Sequence, residues 1–342
     1  MKRLFFLFSL FFLIPLESAC SAGTPENSIV FTFDIASNNE VKEIVNVLKN
    51  QELFRNLEKY QSYYCKYSGY KLNEKDQLQV FLKPLDDEFY CPFFLGNLVE
   101  ISLPEGIRII KQRAASTADK TLKKVVLPSS IEIIEDFAFE NCGKLKTINF
   151  PAGLYKIGKG AFSECYSLAN IDITSIVELG DGAFEGCQSL QRVSIPSTIR
   201  NIPNRVFQDC SGLQMITIPD GIETIGGHAF CCCSSLSEVI VPDSVLSIGD
   251  GAFAGCSSLR YVKLSERLES LSYCLFSYCS QLEELKIPKS VKKCEVQVLD
   301  ECNGLRRLII PSSLSDVVSR LDVWDYSQYI YKNNPSAEII FY

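Results

Sequence analysis

Residues 145–165 read LKTINFPAGLYKIGKGAFSEC, and this phrase decides the fold. Residues 122–142, LKKVVLPSSIEIIEDFAFENC, are a near copy, and both fit the template L-x-x-I-x-I-P-x-x-I-x-x-I-G-x-x-A-F-x-x-C. The opening leucine returns every 22 to 24 residues, as Leu98, Leu122, Leu145, Leu168, Leu190, Leu213, Leu236, Leu259, Leu282 and Leu305. A unit of this length predicts a solenoid, because each unit can bury its apolar side only against its neighbours.

Each half of the repeat predicts one part of a coil. The alternation in L-x-x-I-x-I is typical of a strand with one buried face. The proline that usually follows predicts the end of the strand, because proline lacks an N–H and fixes φ. The later isoleucines and the Ala-Phe pair are predicted to line the interior. Four glycines are expected to allow a tight corner: Gly158, Gly180, Gly226 and Gly249.

The repeats resemble the BspA-like leucine-rich repeats found on exported and cell-surface proteins of bacteria and some protists. The resemblance covers residues 98–311 and rests on the proline after the strand together with the A-F-x-x-C phrase. It implies a curved solenoid that adheres to host proteins or to other cells, and it implies no active site. The expected fold class is therefore a leucine-rich repeat solenoid, α/β-type or mainly β. One face is a parallel sheet of about ten strands, and the other consists of short turns or helices.

Residues 1–22 predict a signal peptide, because a basic start precedes a 13-residue apolar run and small residues. Cys20 lies in a context similar to a bacterial lipoprotein box, although Glu17 stands where that box has Leu or Val. Lipidation of Cys20 and cleavage near Ala22 with plain secretion are both open. The apolar run is too short to span a bilayer. We therefore expect a secreted or cell-surface protein, on the outer surface or in the periplasm if lipid-anchored, whose only membrane contact is a lipid on Cys20.

The other non-repeat segments are expected to close the ends of the solenoid, residues 96–311. Residues 23–95 predict a small α/β segment with strands at 28–34 and 77–82 and a helix near 41–48. This segment is interpreted as an amino-terminal cap, with an independent binding domain as the alternative. Cys65 and Cys91 are candidates for a disulfide in an exported protein. Residues 312–342 predict a carboxy-terminal cap that ends in a closing strand, AEIIFY.

Composition and motifs disfavour several function classes. The formal net charge is -7 and no cluster of Lys and Arg stands out, so nucleic-acid binding has little electrostatic support. The single histidine, His228, weighs against histidine-dependent catalysis and is interpreted as a solvated turn residue. Spacings typical of phosphate loops, metalloproteases and nucleophile elbows are absent. We therefore expect no enzymatic activity, no metal and no cofactor.

The 15 cysteines include a column with one member per coil. This column consists of Cys142, Cys165, Cys187, Cys210, Cys233, Cys256, Cys279 and Cys302. One cysteine per repeat predicts buried free thiols that act as small core residues, with scattered disulfides or a metal site as alternatives. Cys294 is expected in the core. Cys231 and Cys232 fall outside the column and have either surface reactivity or no role.

The residues that alternate with the strand isoleucines are predicted to face solvent, and from Met215 onward they include large side chains and charges suited to an interface. The candidate partner-binding residues are Arg192, Met215, Glu238, Ile240, Tyr261, Lys263, Lys286 and Arg307. We therefore expect recognition or adhesion through the sheet, with a protein ligand of the host extracellular matrix or of another cell's surface. The alternatives are an enzymatic or metal-binding activity in the amino-terminal segment, with the repeats as a passive arm, and a purely structural surface spacer.

Overall fold

Each repeat forms one coil of a β-solenoid, so the predicted architecture is confirmed. The structure, a computed structural model, describes residues 28–33, 40, 42, 65–75, 77–84, 87–89, 98–115, 121–295, 297–314 and 337–342. The predicted signal peptide, Cys20, Cys91 and most of the predicted helix at 41–48 lie outside the described residues.

The first strand of each repeat lies on one side of the solenoid, which we call the first face. Its strands are β5 (Leu98–Ser102), β7 (Lys124–Val126), β9 (Thr147–Ile148), β12 (Arg192–Ser194), β14 (Met215–Thr217), β16 (Glu238–Ile240), β18 (Tyr261–Lys263), β20 (Glu284–Lys286) and β22 (Arg307–Ile310). Pairing within this face is parallel and joins equivalent residues of successive coils, such as Glu238 with Tyr261. The predicted closing strand is confirmed as β23 (Glu338–Phe341), which pairs in parallel with β22.

Short strands of two residues form a second face, which the sequence pattern did not predict. They are β6 (Ile109–Ile110), β8 (Ile133–Ile134), β10 (Lys156–Ile157), β11 (Glu178–Leu179), β13 (Asn201–Ile202), β15 (Thr224–Ile225), β17 (Ser247–Ile248), β19 (Ser270–Leu271) and β21 (Lys293–Cys294). Two residues cannot display an alternating pattern, so this ladder has no period of its own in the sequence. Turns occupy the rest of each coil, and Ser312–Leu314 is a 3-10 helix.

The described amino-terminal strands continue both faces beyond the first coil. They are β1 (Ile29–Phe33), β2 (Cys65–Leu72), β3 (Leu78–Pro84) and β4 (Glu88–Phe89). β1 pairs antiparallel with β5, placing Phe31 opposite Ile101, and β3 and β2 follow outward. β4 pairs in parallel with β6 on the second face. The predicted strands at 28–34 and 77–82 are confirmed, whereas the domain boundaries, the cap role and the pairing of Cys65 with Cys91 stay predictions.

The first face is interrupted at the repeat that has lost one residue. Within residues 121–295, no strand of this face lies between β9 and β12. Thr174 stands where other repeats have proline. The backbone N–H and the hydroxyl of Thr174 both donate hydrogen bonds to the Asp172 carboxylate. One coil earlier, the Asn149 side chain takes the place of a neighbouring strand for the backbone of Leu127. Its amide oxygen accepts from the Leu127 N–H and its NH2 group donates to the Leu127 carbonyl, each at 2.7 Å. The shortened repeat is therefore one of the places where strand pairing on the first face is broken, along with the steps from β14 to β16 and from β18 to β20.

The interior is a row of equivalent side chains. The phenylalanine rings from Phe139 to Phe276 lie stacked, with centroids 5.3 to 5.8 Å apart and planes within 14° of parallel. The column cysteines are buried and unbonded to one another, which confirms the predicted thiol column. Each thiol donates to a carbonyl of the preceding coil, as Cys165 does to Phe139 at 3.3 Å. The small side chain therefore also satisfies a backbone acceptor.

The reason predicted for four glycines was wrong. Gly158, Gly180, Gly226 and Gly249 do not have positive φ angles. A Cβ added to Gly249 would instead lie 2.4 Å from the backbone nitrogen of Gly227 in the preceding coil. The glycines of this position therefore permit close stacking of coils.

Positive φ angles occur later in the coil, in two columns of mixed residue types. The first column is Arg113, Phe137, Gly160, Gly182, Arg205, His228, Gly251, Cys274 and Gln297, and the second is Asn141, Glu164, Gly186, Asp209, Cys232, Gly255, Tyr278 and Glu301. The larger side chains lean over the next coil. The His228 ring, for example, occupies the space beside Gly251, where an added Cβ would lie 2.7 Å from it.

Candidate recognition surface

The first face exposes the predicted side chains and buries their neighbours. Met215, Ile240 and Tyr261 are 51%, 52% and 50% exposed, although large apolar side chains favour the interior. Between them, Val239 and Val262 are buried in the core. Arg192, Glu238, Lys263, Lys286 and Arg307 are also exposed. The strands therefore hold all eight predicted residues on the solvent side.

Strand pairing fixes which of these side chains are neighbours. Tyr261 lies beside Glu238, and Lys263 lies beside Ile240. Met215 lies beside Arg192 in the preceding pair of strands. We call Met215, Ile240 and Tyr261 the apolar anchors. Because they sit on paired strands, their positions are largely fixed before any partner arrives.

The predicted cations differ in what they already contact. Arg307 forms an ion pair with Glu284, the residue beside it on β20. The Lys286 Nζ lies 3.8 Å from a Glu266 carboxylate oxygen and 5.2 Å from the centroid of the Tyr342 ring. Lys263 forms no ion pair with any residue that the structure describes. Exposed Arg192 likewise has no ion pair among the described residues, so Lys263 and Arg192 are the available cations of the predicted set.

Two cations on this face were missed by the sequence analysis. Arg260 and Arg306 are exposed and, within the described ranges, have no ion-pair partner. Each lies one residue before its strand, and the Arg260 N–H bonds the Ser237 carbonyl at 2.9 Å. The signal was present, because from Lys123 onward the second residue of each repeat is polar or small, but only the two alternating positions of the strand were assigned outward.

A model of the BspA type leucine rich repeat region matches residues 89–214 and 201–321 and counts six copies. These ranges cover more than half of the 342 residues. The chain belongs to the BspA-type leucine-rich repeat family. No curated protein matches it.

Several solved structures are similar to this BspA-type chain. A leucine rich cell surface protein of Faecalibacterium prausnitzii is 22% identical, with 82% of this chain and 95% of the other covered and a TM-score of 0.39. A leucine rich repeat protein of T. pallidum is 26% identical, with 68% and 92% covered and a TM-score of 0.41. The pneumococcal vaccine antigen PcpA is 19% identical, with 72% and 69% covered and a TM-score of 0.46. The family assignment rests on the repeat model and not on these superpositions.

Elsewhere on this BspA-type solenoid, several carboxylates accept hydrogen bonds from the backbone of the next coil. Asp136, Asp181 and Asp250 each accept a hydrogen bond from a backbone N–H one coil later, at 2.8 to 3.2 Å. His228 lies on a turn, as predicted, and borders an open groove with Arg205 and Asp250. The described residues include no group of three or more His, Cys, Asp or Glu side chains placed to hold a metal. No helix in the described part of the chain could cross a bilayer.

The thiols of the BspA-type coils divide into buried and accessible groups. Burial raises the pKa of seven column thiols: Cys165, Cys187, Cys210, Cys233, Cys256, Cys279 and Cys302. Cys294 is half-buried against the core, and burial raises its pKa to about 11. Cys231 is half-buried and Cys232 is exposed, with their sulfurs 3.6 Å apart. Only this last pair offers two accessible sulfurs side by side among the described residues.

Proposed function

We propose that this protein is an exported, non-enzymatic recognition or adhesion protein whose first face binds another protein between β12 and β22. The observation that carries the proposal is the set of three half-exposed apolar anchors beside cations that lack internal partners. Interface hot spots combine large side chains of this kind with surrounding charge.

The rigidity of the face favours binding. Paired strands hold Glu238 beside Tyr261 and Ile240 beside Lys263 before a partner arrives. A surface that is already ordered loses less conformational entropy on association. Tyr261 has few rotatable bonds and a large ring, so it should contribute more binding free energy than any of its neighbours.

The free cations favour an acidic segment on the partner. Arg260, Lys263 and Arg306 are exposed without ion-pair partners among the described residues, whereas nearby Glu284 is engaged by Arg307. Opposite charge across an interface accelerates association and fixes orientation. Binding should therefore weaken as ionic strength rises.

The resemblance and the predicted signal peptide support a partner outside the cell. We propose a protein of the host extracellular matrix or of another cell's surface as ligand, with the chain either freely secreted or anchored by a lipid on Cys20. Metabolic labelling with a lipid precursor, compared between the wild type and Cys20→Ser, tests the anchor independently of the ligand.

The direct test compares variants of the first face against a panel of purified matrix and cell-surface proteins. Tyr261→Ala should weaken binding to the recognised protein by about 1–2 kcal/mol, roughly a five- to thirtyfold loss, and leave the fold intact. Thr147→Ala, on the same face in the polar half, is the matched control and should change affinity little. Equal affinities for the two variants would contradict the proposal.

Two charge-reversal variants test whether the partner is acidic. Lys263→Glu should weaken binding more than Lys286→Glu, because Lys286 already contacts Glu266 and Tyr342. If neither substitution alters affinity or its salt dependence, the partner is not acidic.

The amino-terminal alternative is better tested with point variants than by deletion. Removing residues 23–95 would also remove β1 and β4, which pair with the first coil through β5 and β6. That deletion would uncover Leu98 and Ile101, both fully buried. Binding that survives Tyr261→Ala and Lys263→Glu together would instead direct attention to the amino-terminal segment.

A further inference from the structure

Cys231 and Cys232 form an adjacent dithiol on a turn edge of the solenoid, away from the first face. Their Sγ atoms are 3.6 Å apart, and either thiol can donate to the other sulfur. The third cysteine in sequence, Cys233, belongs to the buried column and donates to the Phe207 carbonyl. The local sequence therefore places two cysteines outside the core and only one inside it.

The Cys232 sulfur is open to small molecules. Its residue has a φ of 59°, in the second positive-φ column, so the side chain projects from the turn. The equivalent residue of the next coil is Gly255, where an added Cβ would lie 3.0 Å from this sulfur. A groove of about 470 Å³ borders the thiol, and Asp209, Ser234 and Glu164 line its walls. The missing side chain at Gly255 therefore makes room for the sulfur itself, and the groove gives access to it.

Burial raises the pKa of both thiols. Burial and the neighbouring Cys232 raise the pKa of Cys231 to about 12. For Cys232, the hydrogen bond from Cys231 opposes the rise, and the nearby Asp209 carboxylate adds to it. Cys232 is also the more exposed of the two. Exposure therefore assigns the first reaction to Cys232.

We propose that Cys231 and Cys232 form a thiol–disulfide exchange site for low-molecular-weight disulfides such as oxidised glutathione. The Cys232 thiolate attacks one sulfur of the disulfide, whose S–S bond breaks, and one glutathione leaves as a thiolate. Cys231 then gives its proton to solvent and attacks the Cys232 sulfur of the mixed disulfide. The second glutathione leaves, so two protein thiols are oxidised and one disulfide is reduced to two thiols.

The product should be easy to reverse. Consecutive Cα atoms are about 3.8 Å apart, below the range of about 4.4–6.8 Å that disulfides usually span. Backbone bonds oppose rearrangement of the turn, because the Cys232 N–H bonds the Ala254 carbonyl at 2.7 Å and the Cys231 carbonyl accepts from Asp209 at 2.8 Å. A strained disulfide is reduced more readily than an unstrained one. The site should therefore respond to the surrounding thiol pool.

The test treats the reduced full-length protein with oxidised glutathione, blocks remaining thiols with N-ethylmaleimide, and analyses the peptide released by cleavage after Phe230 and Leu236. The wild type should lose two hydrogens between Cys231 and Cys232 and retain no glutathione. Cys231→Ser should trap glutathione on Cys232. Cys232→Ser should react at least about tenfold more slowly, because the remaining thiol is less exposed.

Cys274→Ser is the matched control. Cys274 is a half-buried thiol in the other positive-φ column, with a φ of 53°, and it has no adjacent cysteine. This variant should keep the wild-type result at residues 231 and 232. In every variant, column thiols that resist N-ethylmaleimide before unfolding show that the fold is intact.

Three results would overturn the proposal. Glutathione that remains on Cys232 of the wild type, as it does in Cys231→Ser, would show that Cys231 does not resolve the mixed disulfide. Equal rates for Cys232→Ser and the wild type would remove the entry role of Cys232. A folded wild type that stays fully reduced would remove the site.

Discussion

The middle of the solenoid and its ends use the same coil but are completed differently. In the middle, Phe207 stacks between Phe184 at 5.7 Å and Phe230 at 5.8 Å. At the amino-terminal end of the row, Phe139 stacks on Phe162 at 5.3 Å, and the coil on its other side carries Ala115. A middle coil therefore packs against an equivalent coil on both sides, whereas an end coil does so on one side only.

Chain that lacks the repeat supplies the missing partner at each end. β1 joins the first coil in the antiparallel direction, and β23 joins the last in the parallel direction. The Tyr342 hydroxyl then donates to the Ile287 carbonyl at 2.8 Å, which fastens the carboxy-terminal end. The repeat sequence therefore specifies the stacking of coils, but residues outside the repeats are needed to end the solenoid.

Alkaline pH should give the largest contrast, because the middle contains the buried thiols. Their folded pKa values are raised, so above the ordinary thiol pKa of about 8.5 they stay protonated while unfolded thiols ionise. The native state then binds more protons, and the free energy of unfolding falls as pH rises through this window toward the folded pKa values. Each thiol in a cooperatively unfolding segment should add about 1.4 kcal/mol per pH unit to this fall. Urea denaturation across the window measures it.

Single substitutions test the thiol origin of that slope. Cys210→Ala should reduce the slope of the free energy of unfolding against pH by the contribution of one thiol. It also lowers stability at neutral pH. Thr217→Ala, on the exposed face, should keep the wild-type slope. A slope that is unchanged in Cys210→Ala would assign the alkaline sensitivity to other groups.

Removing a ring should cost more inside the row than at its end. Both Phe162 and Phe139 are fully buried, and truncating such a ring costs about 3–5 kcal/mol in a well-packed site. Phe162 contacts Phe139, Phe184 and Phe150, at 5.3, 5.4 and 5.6 Å between centroids. Phe162→Ala should therefore destabilise the protein more than Phe139→Ala in chemical denaturation. Equal losses would mean that the amino-terminal end packs as tightly as a true repeat.

The smallest effect is expected at the carboxy-terminal end. Tyr342→Phe removes the hydrogen bond to Ile287 but keeps the ring near Lys286 and Lys289. The expected cost is about 0.5–1.5 kcal/mol, seen as faster hydrogen exchange in β22 and β23. Tyr278→Phe is the control, since that hydroxyl bonds no described residue and the side chain is 60% exposed. If the two variants exchange alike, Tyr342 does not fasten this end.

The last residues of the chain, outside the repeats, predicted the closing strand. The repeated sequence predicted the solenoid, most strand positions of the first face and the buried thiols. It could do so because equivalent residues recur in every coil, so each apolar position is reported many times. It also assigned Met215, Ile240 and Tyr261 to the solvent side, because strand residues alternate between two faces.

Features that depend on contacts between coils could be seen only in the tertiary structure. The second-face strands arise from coil stacking and are too short to show a pattern. The requirement for Gly249 comes from the backbone of Gly227, 22 residues back in the chain, which local sequence does not display. The same holds for function, because Lys263 and Lys286 occupy equivalent positions in sequence, and only the placement of Glu266 and Tyr342 distinguishes the free cation from the engaged one.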